Sequence, residues 1–223
     1  MKVAQPLAGL ACAAAAPVWA LLVAPAPSAY AEPCPDVEVV FARGTNEPPG
    51  VGGIGQTFVD TLRSHVGTKS LGVYPVNYPA TTNFPTAVDG ISDAGTHVES
   101  MAARCPKTKM VLGGYSQGAA VMGFVTYSQV PDGAHLAQAL QPMPPEIADH
   151  VATVALFGKP SGQFMSIINE PPITIGPAYA GKTIDLCVPN DPVCSSSGTP
   201  GAHHQYVETG LVDQAADFAA SRL

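Results

Sequence analysis

The chain carries the sequence Gly114-Tyr115-Ser116-Gln117-Gly118 directly after the apolar run Met110–Gly113. The pattern Gly-x-Ser-x-Gly is typical of a nucleophilic serine at a sharp turn between a strand and a helix. Small residues are needed on both sides of such a serine because the strained backbone leaves little room for Cβ atoms. The motif predicts that Ser116 is accessible at the end of a strand and that a helix begins just after it and runs to about Tyr127.

Similar apolar runs recur along the chain, with helical patterns between them. The other runs are Val37–Ala42, Leu71–Val76, Val151–Phe157 and Ile184–Val188. Runs without strict alternation are expected of strands that are covered on both faces. Apolar residues at helical spacing connect Val88 to Met101 and Val207 to Phe218. This order predicts an α/β fold: a parallel sheet of about five strands with helices on both faces.

One segment, Gly162–Gly181, fits neither a helical nor a strand period. It carries three prolines among scattered apolar residues, which predicts a long surface excursion. Loops of this length are uncommon unless they are functional, so we expect this one to wall a substrate site. No insertion is large enough to form a second domain, and we expect a single domain over residues 32–223.

The first 31 residues have the features of a secretory signal peptide. Lys2 provides a positive start, an Ala/Leu/Val-rich stretch follows, and Ala29-Tyr30-Ala31 is a small-x-small cleavage pattern. The competing interpretation is a transmembrane anchor, but Pro17 and Pro25 interrupt a stretch that is already short against the roughly 20 apolar residues of a span. We expect export, to the medium or the cell wall, and no stable membrane span.

The charge of the chain argues against a nucleic-acid partner. Its formal net charge is −7 at pH 7, and no cluster of Lys or Arg is present to neutralise phosphates. Charged residues are only 12% of the chain, beside 22 Gly and 23 Pro, which favours an ordered domain rich in turns over a disordered polyelectrolyte.

Four cysteines remain once the signal segment is removed: Cys34, Cys105, Cys187 and Cys194. An even number in an oxidising compartment predicts two disulfides. Of the three possible pairings we expect Cys187 with Cys194, which closes a small loop, and Cys34 with Cys105. A metal site is the alternative, but there is no Cys-x-x-Cys pair and the histidines are scattered, so we expect no metal.

A nucleophilic serine needs a base to take its proton and an acid to orient that base. In this type of fold they follow the serine in the order Asp, His. Asp185 falls in a predicted strand and Asp213 on a predicted helix, whereas Asp191 follows the last strand inside the small cysteine loop. Only His203 and His204 come after it, and their position alone does not separate them.

Four blocks in this order resemble the cutinase family, and within it the actinobacterial cutinase-like secreted serine esterases. The blocks are Phe41-Ala42-Arg43-Gly44-Thr45-Asn46-Glu47, the Gly-Tyr-Ser-Gln-Gly turn, Cys187-x-x-x-Asp191-x-Val193-Cys194 and Ala202-His203-x-x-Tyr206. The resemblance implies a minimal α/β-hydrolase without a cap domain. It also implies that Ser116, Asp191 and His203 are the catalytic residues, because the spacing to Tyr206 selects His203 over His204.

The same resemblance implies an oxyanion hole formed by Thr45 and by the backbone N–H of Gln117. The family often has Ser where Thr45 stands; Thr keeps the hydroxyl but restricts its rotamers, so we expect the donor to be the backbone N–H of Thr45. No cofactor is needed for this chemistry. The pattern Gly-x-Gly-x-x-Gly at Gly50, Gly52 and Gly55 does not indicate a dinucleotide site, because the next predicted strand ends in Asn77-Tyr78-Pro79 and supplies no acid.

We therefore expect a monomeric, secreted serine esterase that hydrolyses carboxylic esters of short to medium acyl chain. The resemblance also allows lipid or polyester esters, but cutin and long-chain triglycerides are less favoured than soluble esters, because residues 195–201 are polar where many fungal cutinases are apolar. A carbohydrate acetyl esterase and a phospholipase remain alternatives within the same fold. A catalytically weak secreted interaction protein is the alternative outside enzymes.

Overall fold

A five-stranded parallel sheet forms the centre of the fold. Its strands are β1 (Val37–Ala42), β2 (Leu71–Pro75), β3 (Lys109–Tyr115), β4 (Val151–Phe157) and β5 (Thr183–Leu186), in the spatial order β2-β1-β3-β4-β5. This computed structural model describes residues 1–2, 33–128 and 141–223, so nearly all of the expected signal peptide lies outside the described residues. The residues from Cys34 to Leu223 form one compact unit. The prediction of a five-stranded parallel sheet is confirmed.

Helices cover both faces of the sheet. They are α1 (Gly52–His65), α2 (Ala87–Arg104), α3 (Gln117–Val125), α4 (Gly162–Ile167), α5 (Pro177–Ala180) and α6 (Leu211–Ala220), with short 3-10 turns at Phe84–Thr86, Pro145–His150 and Pro200–His204. The apolar sides of α1 and α6 pack on one face, and those of α2 and α3 pack on the other.

The central strands read as apolar runs because both of their faces are buried. On β1, Val39 and Phe41 face α1 and α6, whereas Val40 and Ala42 face α2 and α3. Every residue of β1 is buried, as expected for a parallel strand between two helical layers. At the edge of the sheet, β2 is only partly covered.

Two expectations about secondary structure were wrong in detail. The last helix begins at Leu211 and not at Val207, because Gly210 turns the chain with a left-handed backbone and Val207 lies exposed before it. The segment 162–181 is not irregular throughout but contains α4 and α5. Helix α4 begins where the Ser161 hydroxyl accepts a hydrogen bond from the Phe164 N–H at 3.2 Å, a cap that periodicity alone does not reveal.

Two disulfides join the expected cysteines. Cys34 is bonded to Cys105, 71 residues away, and Cys187 to Cys194, seven residues away. No segment within residues 33–128 and 141–223 forms a cap domain over the sheet, in agreement with the predicted minimal α/β-hydrolase. In the same ranges no helix has the length and apolar character of a membrane span.

Candidate active site

Ser116 lies in the turn between β3 and α3 with a backbone conformation that side chains rarely adopt, at φ 55° and ψ −118°. The turn is possible because its two glycines are in close contact with neighbouring backbone. A Cβ on Gly114 would lie 2.2 Å from the carbonyl oxygen of Gly118, and one on Gly118 would lie 2.0 Å from that of Ala42. The Gly-x-Ser-x-Gly motif therefore reflects the space available at this edge of the sheet.

The structure brings Ser116, His203 and Asp191 together in one hydrogen-bonded line. His203 Nε2 lies 2.8 Å from Ser116 Oγ, and His203 Nδ1 lies 2.7 Å from Asp191 Oδ2. With the ring hydrogen on Nδ1, the imidazole donates to the carboxylate and accepts from the serine hydroxyl. This arrangement is suited to removing a proton from Ser116.

Asp191 is held by the short loop that follows β5. Its side chain is fully buried, and its Oδ1 accepts a hydrogen bond from the Val193 N–H at 2.9 Å. The backbone N–H of Asp191 donates to the Val188 carbonyl at 3.0 Å, inside the loop closed by the disulfide between Cys187 and Cys194. The carboxylate is thereby aimed at His203.

The two adjacent histidines occupy different environments. His203 lies in the 3-10 turn Pro200–His204, with its ring stacked on Tyr115. His204 is exposed, and its Nδ1 lies 3.3 Å from the Tyr115 hydroxyl. In the described part of the chain, the ring nitrogens of His203, not those of His204, contact Ser116 and Asp191.

Thr45 and Gln117 lie side by side next to Ser116. The Thr45 hydroxyl is 3.4 Å from Gln117 Oε1, and Gln117 Nε2 donates to the Thr81 carbonyl at 3.1 Å. Gln117 is the first residue of α3, so its backbone N–H has no acceptor within the helix. Such an N–H is available to a developing negative charge.

The loop that carries Thr45 is fixed by the buried guanidinium of Arg43. Arg43 donates to backbone carbonyls of two loops: from Nε to Glu47 at 2.8 Å and from one terminal nitrogen to Tyr78 at 2.6 Å. The Tyr78 hydroxyl donates in return to the Arg43 carbonyl. These contacts tie the segment after β1 to the segment after β2.

The glycine-rich stretch 50–55 contacts this loop through the Glu47 carboxylate. Its Gly53 N–H donates to Glu47 Oε1 at 2.8 Å, while the Gly44 N–H donates to Oε2 at 2.6 Å. A side chain on Gly52 would overlap the Glu47 carboxylate. Gly52 therefore leaves space for the Glu47 carboxylate, which accepts hydrogen bonds from two backbone N–H groups.

An apolar pocket opens beside Ser116. Its walls include Phe84, Ile91 and Phe124 from one side and Phe164, Met165 and Ile168 from the other. The second group belongs to the segment 162–181, which does line the pocket next to Ser116. The cavity has a volume of about 70 Å³.

Sequence reasoning assigned no role to two residues that touch the hydrogen-bonded line. The Tyr206 hydroxyl donates to Asp191 Oδ2 at 2.6 Å. Gly158, directly after β4, has φ +60°, and a Cβ there would lie 2.9 Å from His203 Cε1. The signal for Tyr206 was present in the spacing His203-x-x-Tyr206, whereas that for Gly158 was only a glycine at a strand end.

Cys187, Asp191 and Cys194 have potential metal-ligand atoms close to one another. The two sulfur atoms are joined in a disulfide, however, and thus offer no thiolate to a metal ion. This cluster is better described as a support for Asp191.

Comparisons with known proteins agree with this geometry. The sequence model of the cutinase family matches residues 33–223. The probable carboxylesterase Culp5 of Mycobacterium tuberculosis is 65% identical over 168 residues, which cover 75% of this chain and 96% of that protein. The phospholipase Culp4 of the same organism is 48% identical over 214 residues, covering 96% of this chain and 90% of its own.

Solved structures show the same architecture. The Trichoderma reesei cutinase, in complex with a C11Y4 phosphonate inhibitor, superposes with a TM-score of 0.63 and 32% identity, over 85% of this chain and 77% of that one. The catalytic core of acetyl xylan esterase from Trichoderma reesei gives a TM-score of 0.70 over 86% of this chain and all of its own, but at 22% identity it bears on the fold alone. On the match to the family model and on these relatives, the chain belongs to the cutinase family.

Proposed function

We propose that this chain hydrolyses carboxylic esters through an acyl-enzyme on Ser116, with His203 as general base and Asp191 as the acid that orients it. The observation that carries the proposal is the line of hydrogen bonds from Ser116 Oγ through His203 to Asp191, at 2.8 and 2.7 Å. The line lies at the carboxyl edge of a parallel sheet, where open α/β folds bind their ligands.

The reaction follows from these positions. His203 Nε2 takes the proton as Ser116 Oγ attacks the ester carbonyl, and the imidazolium then gives that proton to the departing alcohol. Water, activated by the same nitrogen, hydrolyses the acyl-enzyme and restores the serine. Asp191 stays ionised and stabilises the imidazolium in both steps.

The negative charge of the tetrahedral intermediate is stabilised by the backbone N–H groups of Thr45 and Gln117. Two such donors contribute about 3 kcal/mol each in the transition state. The Thr45 hydroxyl is directed towards Gln117 Oε1 at 3.4 Å, which fixes the position of its residue beside the site.

The pocket favours a short acyl group. The cavity volume of about 70 Å³ is small against the roughly 300–1,000 Å³ of pockets that enclose drug-sized ligands. The apolar walls match the hydrocarbon part of an ester and leave its carbonyl at Ser116. We therefore place acetyl to butyryl esters ahead of long acyl chains.

One observation favours phospholipids as a second class of substrate. Ile167 is 74% exposed on α4, next to Ile168 of the pocket wall. An exposed apolar side chain beside the pocket would contact the acyl region of a lipid surface, and a 48% identical relative is named a phospholipase.

A panel of p-nitrophenyl esters from acetate to palmitate tests the proposal, run beside an acetylated polysaccharide and a phospholipid. We expect the highest kcat/KM for the short esters. Ser116→Ala should abolish both turnover and labelling by an organophosphonate while the thermal unfolding midpoint stays near that of the parent. Ser92→Ala, an exposed serine on α2, is the matched control. Retained turnover and labelling in Ser116→Ala would overturn the assignment.

We further propose that the protein is exported as a monomer after cleavage behind Ala31. The two disulfides support an oxidising location. N-terminal mass spectrometry of protein from the culture medium and the cell wall should find a chain that begins at Glu32, and size-exclusion chromatography should give the mass of one chain. A retained N-terminus would contradict export by cleavage.

A further inference from the structure

Tyr206 contacts the same carboxylate oxygen that orients the base. Its hydroxyl lies 2.6 Å from Asp191 Oδ2, and His203 Nδ1 lies 2.7 Å from that atom. Both Tyr206 and Asp191 are fully buried, so water does not compete for this oxygen. One acceptor therefore serves two donors in an environment where hydrogen bonds to a charge are strong.

We propose that Tyr206 is a positioning residue for the ester hydrolysis, which holds the Asp191 carboxylate against His203 and withdraws part of its negative charge. This inference rests on the proposed roles of Ser116, His203 and Asp191. Tyr206 touches neither Ser116 nor the apolar pocket in the described residues, so it acts through Asp191 and not on the substrate.

The phenol of Tyr206 stays protonated, and this fixes the direction of its hydrogen bond to Asp191. Burial, followed by the hydrogen bond to Asp191, raises the pKa of Tyr206 far above its usual value. The phenol keeps its proton and can only donate to an ionised carboxylate. In the described residues, the other titratable side chains in ring contact with His203 or Tyr206 are Tyr115 and His204, the latter with its centroid 5.9 Å from that of His203. Burial likewise raises the pKa of Tyr115, so neither tyrosine adds a negative charge.

The ring of Tyr206 is immobilised independently of its hydroxyl. It packs edge to face against Phe157 and Tyr115, with ring centroids 6.1 and 5.8 Å away. The Tyr206 oxygen also lies 3.4 Å from the Cys194 sulfur and 3.5 Å from the Val188 N–H, which belong to the loop that carries Asp191. A phenylalanine at this position keeps the ring packing and removes the hydroxyl, with its hydrogen bond to Asp191 and its two longer contacts to the loop.

Two effects are expected when that donor is removed. Asp191 loses one of the groups that fix its orientation, so the imidazole is held less well and kcat falls. Without the Tyr206 donor, the negative charge on Asp191 Oδ2 interacts with His203 alone, so the imidazolium keeps its proton to a higher pH. A residue that acted only through packing would produce neither effect in a variant that keeps the ring.

The test is Tyr206→Phe, compared with Tyr74→Phe. Tyr74 also donates to a carboxylate, that of Asp93 at 3.0 Å, but it lies on β2 outside the proposed site. For a short ester we expect kcat of Tyr206→Phe to fall about 10-fold with KM unchanged, since a hydrogen bond to a charged group is of that strength. The acid limb of kcat/KM should move up by about 0.5 pH unit or more. Tyr74→Phe should change neither quantity.

A second measurement does not depend on turnover. In a Ser116→Ala background, NMR of labelled histidines gives the pH at which the His203 ring loses its proton, and adding Tyr206→Phe should raise that pH. The proposal is overturned if the acid limb and the NMR titration stay at their parental positions, or if plateau kcat is unchanged. A Ser116→Ala variant that retained full activity would instead contradict the proposed function and leave the NMR comparison as the test of the contact.

Discussion

The ring of Tyr115 lies stacked on the imidazole of His203, with centroids 5.0 Å apart, and its hydroxyl donates to the His203 carbonyl at 2.8 Å. Tyr115 is the residue directly before Ser116, so the turn that carries the proposed nucleophile also holds the proposed base. Two segments that are 87 residues apart in sequence are thereby fixed to one another where Ser116 Oγ meets His203 Nε2. The contact between Ser116 Oγ and His203 Nε2 distinguishes His203 from its neighbour His204.

His203→Ala should lower kcat by several orders of magnitude, comparably with Ser116→Ala. The two residues would act as a unit, so removing either one removes the contribution of both to catalysis. His204→Ala should change kcat by less than about threefold, since His204 contacts the Tyr115 hydroxyl and not the reacting atoms. Steady-state kinetics with p-nitrophenyl acetate measure both. A dead His204→Ala and an active His203→Ala would reverse the assignment, and two active variants would refute it.

Asp191→Asn should lower kcat strongly while the protein remains folded. The amide no longer stabilises the imidazolium and can select the wrong ring tautomer. In the serine protease triad, the same change costs about 10⁴-fold, which gives the scale. Asp185→Asn, at the exposed end of a pair with Lys159 at 3.3 Å, is a control outside the line. Near-parental kcat in Asp191→Asn would show that the buried carboxylate does not act on the base.

Gly158→Ala should reduce kcat because the new methyl group would displace the proposed base and its support. Its Cβ would lie 2.7 Å from the Tyr206 oxygen and 2.9 Å from His203 Cε1. The control is Gly67→Ala, where φ is +66° but no atom lies within 4 Å of the added Cβ. In both variants alanine adopts a left-handed backbone, which should lower the free energy of unfolding by about 1 kcal/mol and reduce thermal stability. Only Gly158→Ala should also lose activity. Equal activity in the two would contradict the predicted contact.

Arg43→Met should destabilise the fold and slow the reaction together. Removing the guanidinium leaves the buried carbonyl of Tyr78 without that donor, at a cost of about 1–3 kcal/mol, and the part-buried carbonyl of Glu47 at a lower cost. The loop with Thr45 then moves relative to Gln117, so the fold-decrease in kcat should exceed the fold-increase in KM. Denaturant unfolding and kinetics with a short ester measure the two effects. Arg63→Met, an exposed arginine paired with Asp60 at 3.0 Å, should change little.

Asp36→Asn should lower thermal stability at pH 7, and the difference from the parent should disappear in acid. The backbone N–H and hydroxyl of Ser70 both donate to Asp36 Oδ2 at 2.8 Å, and these hydrogen bonds lower the pKa of the carboxyl below its usual 3.8. A depressed pKa stabilises the fold above the unfolded-state value, and this contribution is lost as pH falls through the folded-state value. Unfolding midpoints at pH 7 and below pH 3.8 provide the comparison, with the exposed Glu208→Gln as control. A constant difference across this range would contradict the linkage.

The sequence predicted the sheet well because strands that are buried on both faces consist of nearly continuous apolar residues. The run Val37–Ala42 has no polar alternation beyond Glu38, and it is the fully buried β1. The same reasoning placed the last helix too early, because Val207 continues the apolar spacing although it lies in the exposed turn before Gly210. Spacing alone does not distinguish an apolar residue in a turn from one on the helix that follows.

The site residues that sequence reasoning named were those with a chemical role or a motif. Three further residues support the named ones from outside. Tyr206 donates a hydrogen bond to Asp191, and Gly158 leaves space beside His203. Arg43 donates to four backbone carbonyls, those of Glu47, Val76, Tyr78 and Pro79. Such roles depend on which loops meet at the sheet edge, and that is decided by tertiary packing. The segment 162–181 was expected to wall a site, yet only the structure shows that its residues Phe164 and Ile168 line the same pocket as Ser116.

The disulfide between Cys34 and Cys105 spans 71 residues, which include β1, α1, β2 and α2. A protease that cut once anywhere in this span would leave both fragments covalently attached, with the elements on either side of the cut still paired in the sheet. Ser116 follows Cys105 closely in sequence, so the proposed nucleophile would remain covalently connected to the loop that carries Thr45. The bond therefore gives the protein tolerance to a single cut in its first half, beyond the roughly 4 kcal/mol by which closing so long a loop destabilises the unfolded chain.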